Sequence, residues 1–302
     1  MNQPGSQSGP VVLKSERLEV EIAAPGSVYR GTRFDWSAFI TQVTLDGRHT
    51  FCVPESYEPG QGTGGIGLCN EFNNDQPLGY DSAKAGEAFP KLGVGLLKRP
   101  DGADYNFFRP YEIVQPFPIH IEAAPAQARY VQEPLDCRGI ALRLVKTLAV
   151  TGSQLTIAYE LENVGKEAVS VNEYVHNFMG IDRQLIGPDY RLTFPYPVRF
   201  DPNSRRFPGA DVLAVSGGEL SLKQTPQGPF YCRPLGFSKT EAAQWELRHL
   251  PSGVGMREFD DFSPLRVAVW GVAHVISAEV FVEAHLLPGE KRAWKRRFEF
   301  FD

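Results

Sequence analysis

The chain is poor in helix signals, in clustered cysteine and in long apolar runs, and each shortage excludes something. Glycine (29) and proline (24) are spread along all 302 residues, so an unbroken apolar stripe at helical spacing has little room to form. Cys52, Cys69, Cys137 and Cys232 are scattered, with no CxxC and no metal-ligand spacing. No metal site is expected, and the simplest setting is a reducing one, the cytoplasm. No apolar run approaches the ~20 residues that span a bilayer, so no membrane partner is expected. The opening residues MNQPGSQSGP are polar and carry no apolar signal core. Positive charge is not in excess: Lys+Arg 31 against Asp+Glu 36 leaves a net charge of -5, which argues against nucleic acid as a partner. Phosphate-loop, dinucleotide, HExxH and GxSxG motifs are all missing, so no cofactor is expected.

What is present is β-sequence. Runs such as Arg17–Ile22, Ala141–Leu148, Gln154–Leu161 and Glu279–Leu286 alternate apolar and polar residues. That period of two marks half-buried antiparallel strands. Thr151-Gly152-Ser153 reads as a tight hairpin, Asn163–Lys166 and Pro251-Ser252-Gly253 as turns. Strand after strand with turn punctuation predicts an all-β protein of two sheets packed face to face. The expected organisation is a disordered segment over 1–15 and one domain over 16–302. The stretch from Gly60 to Leu97 is irregular and rich in Gly, Asn and Asp, as functional segments are. The basic cluster Lys291, Arg292, Lys295, Arg296, Arg297 reads as the solvated face of a terminal strand.

Several side chains could carry chemistry, each with an ordinary alternative. His176 sits in Glu173-Tyr174-Val175-His176-Asn177-Phe178; it is either a core histidine satisfied by a carbonyl or half of an acid/base pair. Asn177 adds a polar group there, while Glu173 should point to the opposite face. Glu279 follows Val-Ile-Ser-Ala and is either a surface carboxylate or the partner of His176. In a regular strand it shares a face with Phe281 and Glu283, which favours an open cleft. The glycines of Gly64-Gly65-Ile66-Gly67 should bend the backbone and expose Asn70 and Glu71. Lys91 is a surface lysine or a cleft cation. Arg109, among Phe107, Phe108 and Tyr111, suits sugar binding or a core corner. Arg33 lies in a similar mix with Arg30, Asp35 and Trp36, and Trp270 is a further stacking platform.

The order of these pieces resembles the galactose mutarotase-like superfamily, which holds aldose 1-epimerases and hexose-6-phosphate mutarotases. The resemblance runs from about residue 16 to the end. His176-Asn177-Phe178 is similar to an H-x-Y-F strand motif, and Glu279 precedes Leu287-Pro288-Gly289-Glu290, similar to an L-x-P-G-E hairpin. It implies a large antiparallel β-sandwich (the supersandwich) with a carbohydrate cleft. Glu279 would take the anomeric hydroxyl proton and His176 would protonate the ring oxygen, with no cofactor. The expected partner is a small sugar or sugar derivative. The chain departs from the pattern at Thr63, where an arginine would precede the glycines, at Asn70-Glu71, and at Leu92, where a second histidine would stand. Lys91, Glu71 and Arg109 are therefore expected to build a different site in the same cleft, with Asn177, Trp270 and Arg33 as further contacts. Polysaccharide lyase or glycoside hydrolase chemistry, and a non-catalytic sugar-binding module, are the alternatives on this scaffold.

Overall fold

A computed structural model describes residues 9–200 and 211–302. Two antiparallel sheets dominate. In the first, the strands run in the order Val11–Lys14, Leu18–Ala23, Phe39–Leu45, Gly67–Phe72, Val169–Phe178, Val275–Leu286, Arg266–Val272, Phe230–Cys232, with His49–Thr50 beside Phe39–Leu45. In the second, the order is Leu213–Ser216, Glu219–Leu222, Tyr190–Thr193, Gln244–His249, Gly255–Asp260, Lys291–Phe301, Gln154–Asn163, Leu142–Thr151, Gln127–Gln132, Ile119–Ala124. Three shorter strands, Ala88–Lys91, Gly95–Lys98 and Ile113–Pro116, form a flap of their own. The fold class is the all-β sandwich that the alternation predicts. Among the described residues no helix is long and apolar enough to cross a membrane.

The N-terminal boundary is shorter than expected. Val11–Lys14 pairs with Leu18–Ala23, Val11 opposite Ile22 and Leu13 opposite Val20, so residues 11–14, expected to be disordered, form a strand; residues 1–8 lie outside the described part. Val11 and Leu13 are buried there, and that apolar burial, about 1.5–3 kcal/mol per side chain, holds the strand to the sheet edge.

The hairpin predicted at Thr151–Ser153 forms with Thr151 opposite Gln154. Gly152 takes φ +57°, a conformation that glycine adopts without the Cβ clash of other residues. The inner faces interdigitate in one core: Val20, Ile40, Val43, Leu68, Val175 and Val280 from the first sheet meet Leu148, Leu155, Ile157, Leu247, Met256 and Phe298 from the second.

That core is not wholly apolar. Lys146 is buried against Asp35 (2.6 Å) and the Asn70 amide oxygen (2.7 Å). The Asn70 amide donates to Tyr159 (2.8 Å) and to Glu173. Arg296 is fully buried, contradicting the solvated face expected for the basic cluster, and bonds Glu173 (2.8 Å), Glu258 (2.8 Å) and the Val280 carbonyl (2.9 Å). Period two explains the difference: Trp294, Arg296, Phe298 and Phe300 share the inner face, while Lys291, Lys295 and Arg297 look outward.

Candidate active site

The site lies on the outer face of the first sheet, where three central strands carry the chemistry. Along Val169–Phe178, Tyr174, His176 and Phe178 point to this face and Glu173, Val175 and Asn177 to the core, as alternation requires. Cys69 and Glu71 share the face from the neighbouring strand, with Tyr174 opposite Glu71 and His176 opposite Cys69. Ser277, Glu279 and Phe281 come from the other side. Glu173 pairs with Val282, and Met179 bridges Ile276 in the same register, so His176 stands opposite Glu279.

The two side chains meet: His176 Nε2 is 3.2 Å from Glu279 Oε1, and both are about 95% buried, at 4% and 5% exposure. The imidazole stacks on Phe178 (centroids 4.0 Å, 4°) and meets Trp270 edge-on at 5.3 Å. Burial holds the imidazole well below its ordinary value of 6.5, and the Arg33 charge adds to that. Burial likewise pushes the Glu279 carboxyl up to about 8; Arg33 pulls it down and Glu71 pushes it further up. Ionising either group without its partner therefore carries a desolvation cost. Both shifts run the same way: near neutral pH they favour a protonated carboxyl beside a neutral ring. The pair is recessed rather than set in an open cleft: both side chains are buried, and Phe281, on the same face as Glu279, is buried against Tyr174 (4.2 Å stack).

Arg33 is the second anchor. Its guanidinium bonds Glu71 Oε2 (2.8 Å), Tyr174 Oη (3.1 Å) and Thr63 Oγ1 (3.1 Å), and it lies between the rings of Phe34 (4.6 Å) and Phe107 (4.4 Å). Tyr174 donates to the same Glu71 oxygen. Arg33 thus reaches from a distant segment to Thr63, the position where the resemblance has an arginine. Lys91 sits behind Glu71, 3.8 Å from Oε1, and donates to the Phe72 carbonyl at 2.6 Å. Burial lowers its ammonium to about 8, with Glu71 opposing.

Of the residues singled out in the sequence, His176, Glu279, Trp270, Arg33 and Glu71 converge on this face, with Lys91 one layer behind. Asn177 does not. Its amide donates to the Ala278 carbonyl (2.6 Å) and toward Glu258 (3.4 Å) on the core side, since a residue next to His176 in a strand must face the other way. Arg109 does not either: it is held at the surface by Asp101 (2.8 Å), 39% exposed. Asn70 and Glu71 are buried, not exposed by the glycines. Gly65 instead leaves room for Phe178 and Phe34, whose rings a Cβ would meet at 2.2 and 2.9 Å. Leu92, at the position of the second histidine, is a core residue. Tyr174 and Ser277 escaped sequence reasoning; each lies two residues before His176 or Glu279, and that spacing on a strand was the signal available.

Comparison with solved structures finds this architecture elsewhere. A galactose mutarotase-like protein from Lactobacillus casei ATCC 334 superposes with TM-score 0.60 at 14% identity, covering 97% of this chain and 100% of that one. The Slr1438 protein from Synechocystis sp. PCC 6803 gives 0.60 at 12%, covering 99% of both. The GalM/aldose epimerase homologue from C. elegans gives 0.53 at 12%, covering 98% and 99%. No family model matches the sequence, and no curated protein does. The chain shares the β-sandwich fold of these galactose mutarotase-like and aldose epimerase-like structures, the fold that the sequence resemblance implied.

Proposed function

We propose that this protein is an aldose 1-epimerase-like isomerase that interconverts the anomers of a free sugar or sugar derivative by acid/base catalysis. The observation that carries this reading is the 3.2 Å contact between His176 Nε2 and Glu279 Oε1 in a face lined by aromatic rings. The anomeric hydroxyl and the ring oxygen are bonded to the same carbon, so two adjacent groups suffice to serve both. A shift of the shared proton from Glu279 to His176 makes a carboxylate and an imidazolium. The carboxylate takes the hydroxyl proton, the imidazolium protonates the ring oxygen, and the ring opens to the aldehyde. Rotation about the bond to the aldehyde carbon and reclosure give the other anomer, with both protons restored. Trp270 and Phe107 offer apolar faces to a sugar ring. Arg33, with its orientation fixed by Glu71 and Tyr174, offers a guanidinium edge to hydroxyls.

The lyase alternative needs several cations gathered to neutralise a uronate carboxylate. Arg109 lies with Asp101 and Lys91 is covered behind Glu71, so the arrangement favours the isomerase. The test is anomer exchange by NMR over free, phosphorylated and acidic sugars, comparing wild type with His176→Ala and Glu279→Gln. Exchange lost in both variants supports the reading; exchange unchanged in either variant overturns it.

A further inference from the structure

The two strands that carry the acid and the base do not stay zipped at the site. Their pairing runs from Val169/Leu286 to Glu173/Val282 and returns as the bridge between Met179 and Ile276. In the gap, side chains replace backbone partners. The Asn177 amide group donates to the Ala278 carbonyl, and the Asn177 backbone N–H donates to Ser277 Oγ at 2.9 Å. Ser277 is fully buried and gives its own hydrogen to Glu279 Oε1 at 3.3 Å. That oxygen is the one 3.2 Å from His176 Nε2.

We propose that Ser277 is a positioning residue that ties the backbone next to the acid to the carboxylate of the base. One hydroxyl accepts from the strand of His176 and donates to Glu279, so both orientations are set by a single atom. The bond selects which carboxylate oxygen faces the imidazole and leaves Oε2 for the incoming hydroxyl. A hydroxyl that donates to a carboxylate also favours its charged form, so it acts on the protonation of Glu279 as well as on its direction. An alanine here would keep the strand and lose both effects. The catalytic part of this inference rests on the isomerase reading; the clamp itself does not.

The experiment separates the two. The Glu279 carboxyl is followed by carbon-13 NMR as a function of pH, without sugar, in wild type, Ser277→Ala and Ser277→Thr. The pH profile of anomer exchange is measured on the same three proteins. The Glu279 midpoint is expected to rise in Ser277→Ala by roughly one pH unit, a tenfold change in proton affinity. The alkaline limb of the exchange profile should move with it, kcat should fall on the order of tenfold or more with KM little changed, and threonine should restore both. A folded Ser277→Ala protein with an unmoved midpoint overturns the proposal. Should the alanine variant fail to fold, Ser277→Cys, a weak donor of similar size, is read against the same outcomes. If wild type exchanges no sugar, the isomerase reading falls while the titration still decides the clamp.

Discussion

At the scale of single residues, the site is governed by burial more than by charge. Glu279 and His176 are each pushed toward the neutral form by the loss of water around them. Exchange should therefore fall as pH rises past about 8, when the pair loses its shared proton. It should fall again well below 6.5, when a second proton occupies the pair; a rate profile with no alkaline limb between pH 7 and 9 would contradict this. Stability carries the same signature. The folded Glu279 carboxyl titrates above its ordinary value of 4.5, so the native state binds the extra proton. Its contribution is present below 4.5 and is lost as pH rises through about 8. Glu279→Gln should flatten that part of the curve of unfolding free energy against pH, measured by urea melts at pH 5 and pH 9. Arg109→Ala, by contrast, should leave the urea midpoint close to that of wild type, as exposed ion pairs do, and leave KM for the sugar unchanged. A large KM effect would return Arg109 to the site. The sequence does not orient Arg109, because periodicity orients strands and a loop side chain follows no period.

At the scale of elements, alternation explains both what was legible and what was not. His176 and Glu279 stood out as titratable groups in apolar strands, and the structure brings them together. Asn177 was put with His176 by proximity in sequence, which on a strand means opposite faces. Its actual work is to fill the gap between two strands, with its amide on the Ala278 carbonyl. Asn177→Ala leaves that buried acceptor without its donor and should destabilise the protein by about 1–3 kcal/mol. The check is a chemical melt; a loss under about 0.5 kcal/mol would mean that the gap closes by itself. The same rule places Arg296 inside while its neighbours Lys295 and Arg297 stay outside.

At the scale of the whole molecule, the sheets are joined by a buried polar web as well as by apolar packing. Arg296 links the second sheet to Glu173 on the histidine strand, and Lys146 links it to Asp35 and Asn70 beside Glu71. Arg296→Ala would strand Glu173 beside Glu258 and Asp260 in the core and should cost about 3–5 kcal/mol. Tm and urea midpoint are the measurements, and a smaller loss would show that protonation of Glu258 and Asp260, already favoured by burial, absorbs the charge. The sequence by itself determined the class of architecture, since alternation and turn residues are local properties that each strand carries alone. It also determined two of the candidate groups, because an imidazole and a carboxylate amid apolar strands are visible at a distance of one residue. Only the tertiary structure decided that Arg33 reaches Thr63, that Ser277 bridges the strands of His176 and Glu279, that Arg109 stands apart and that the pair is recessed. Those outcomes depend on which strands become neighbours and in what register. Register is a long-range property, set when the inner faces of both sheets are buried together.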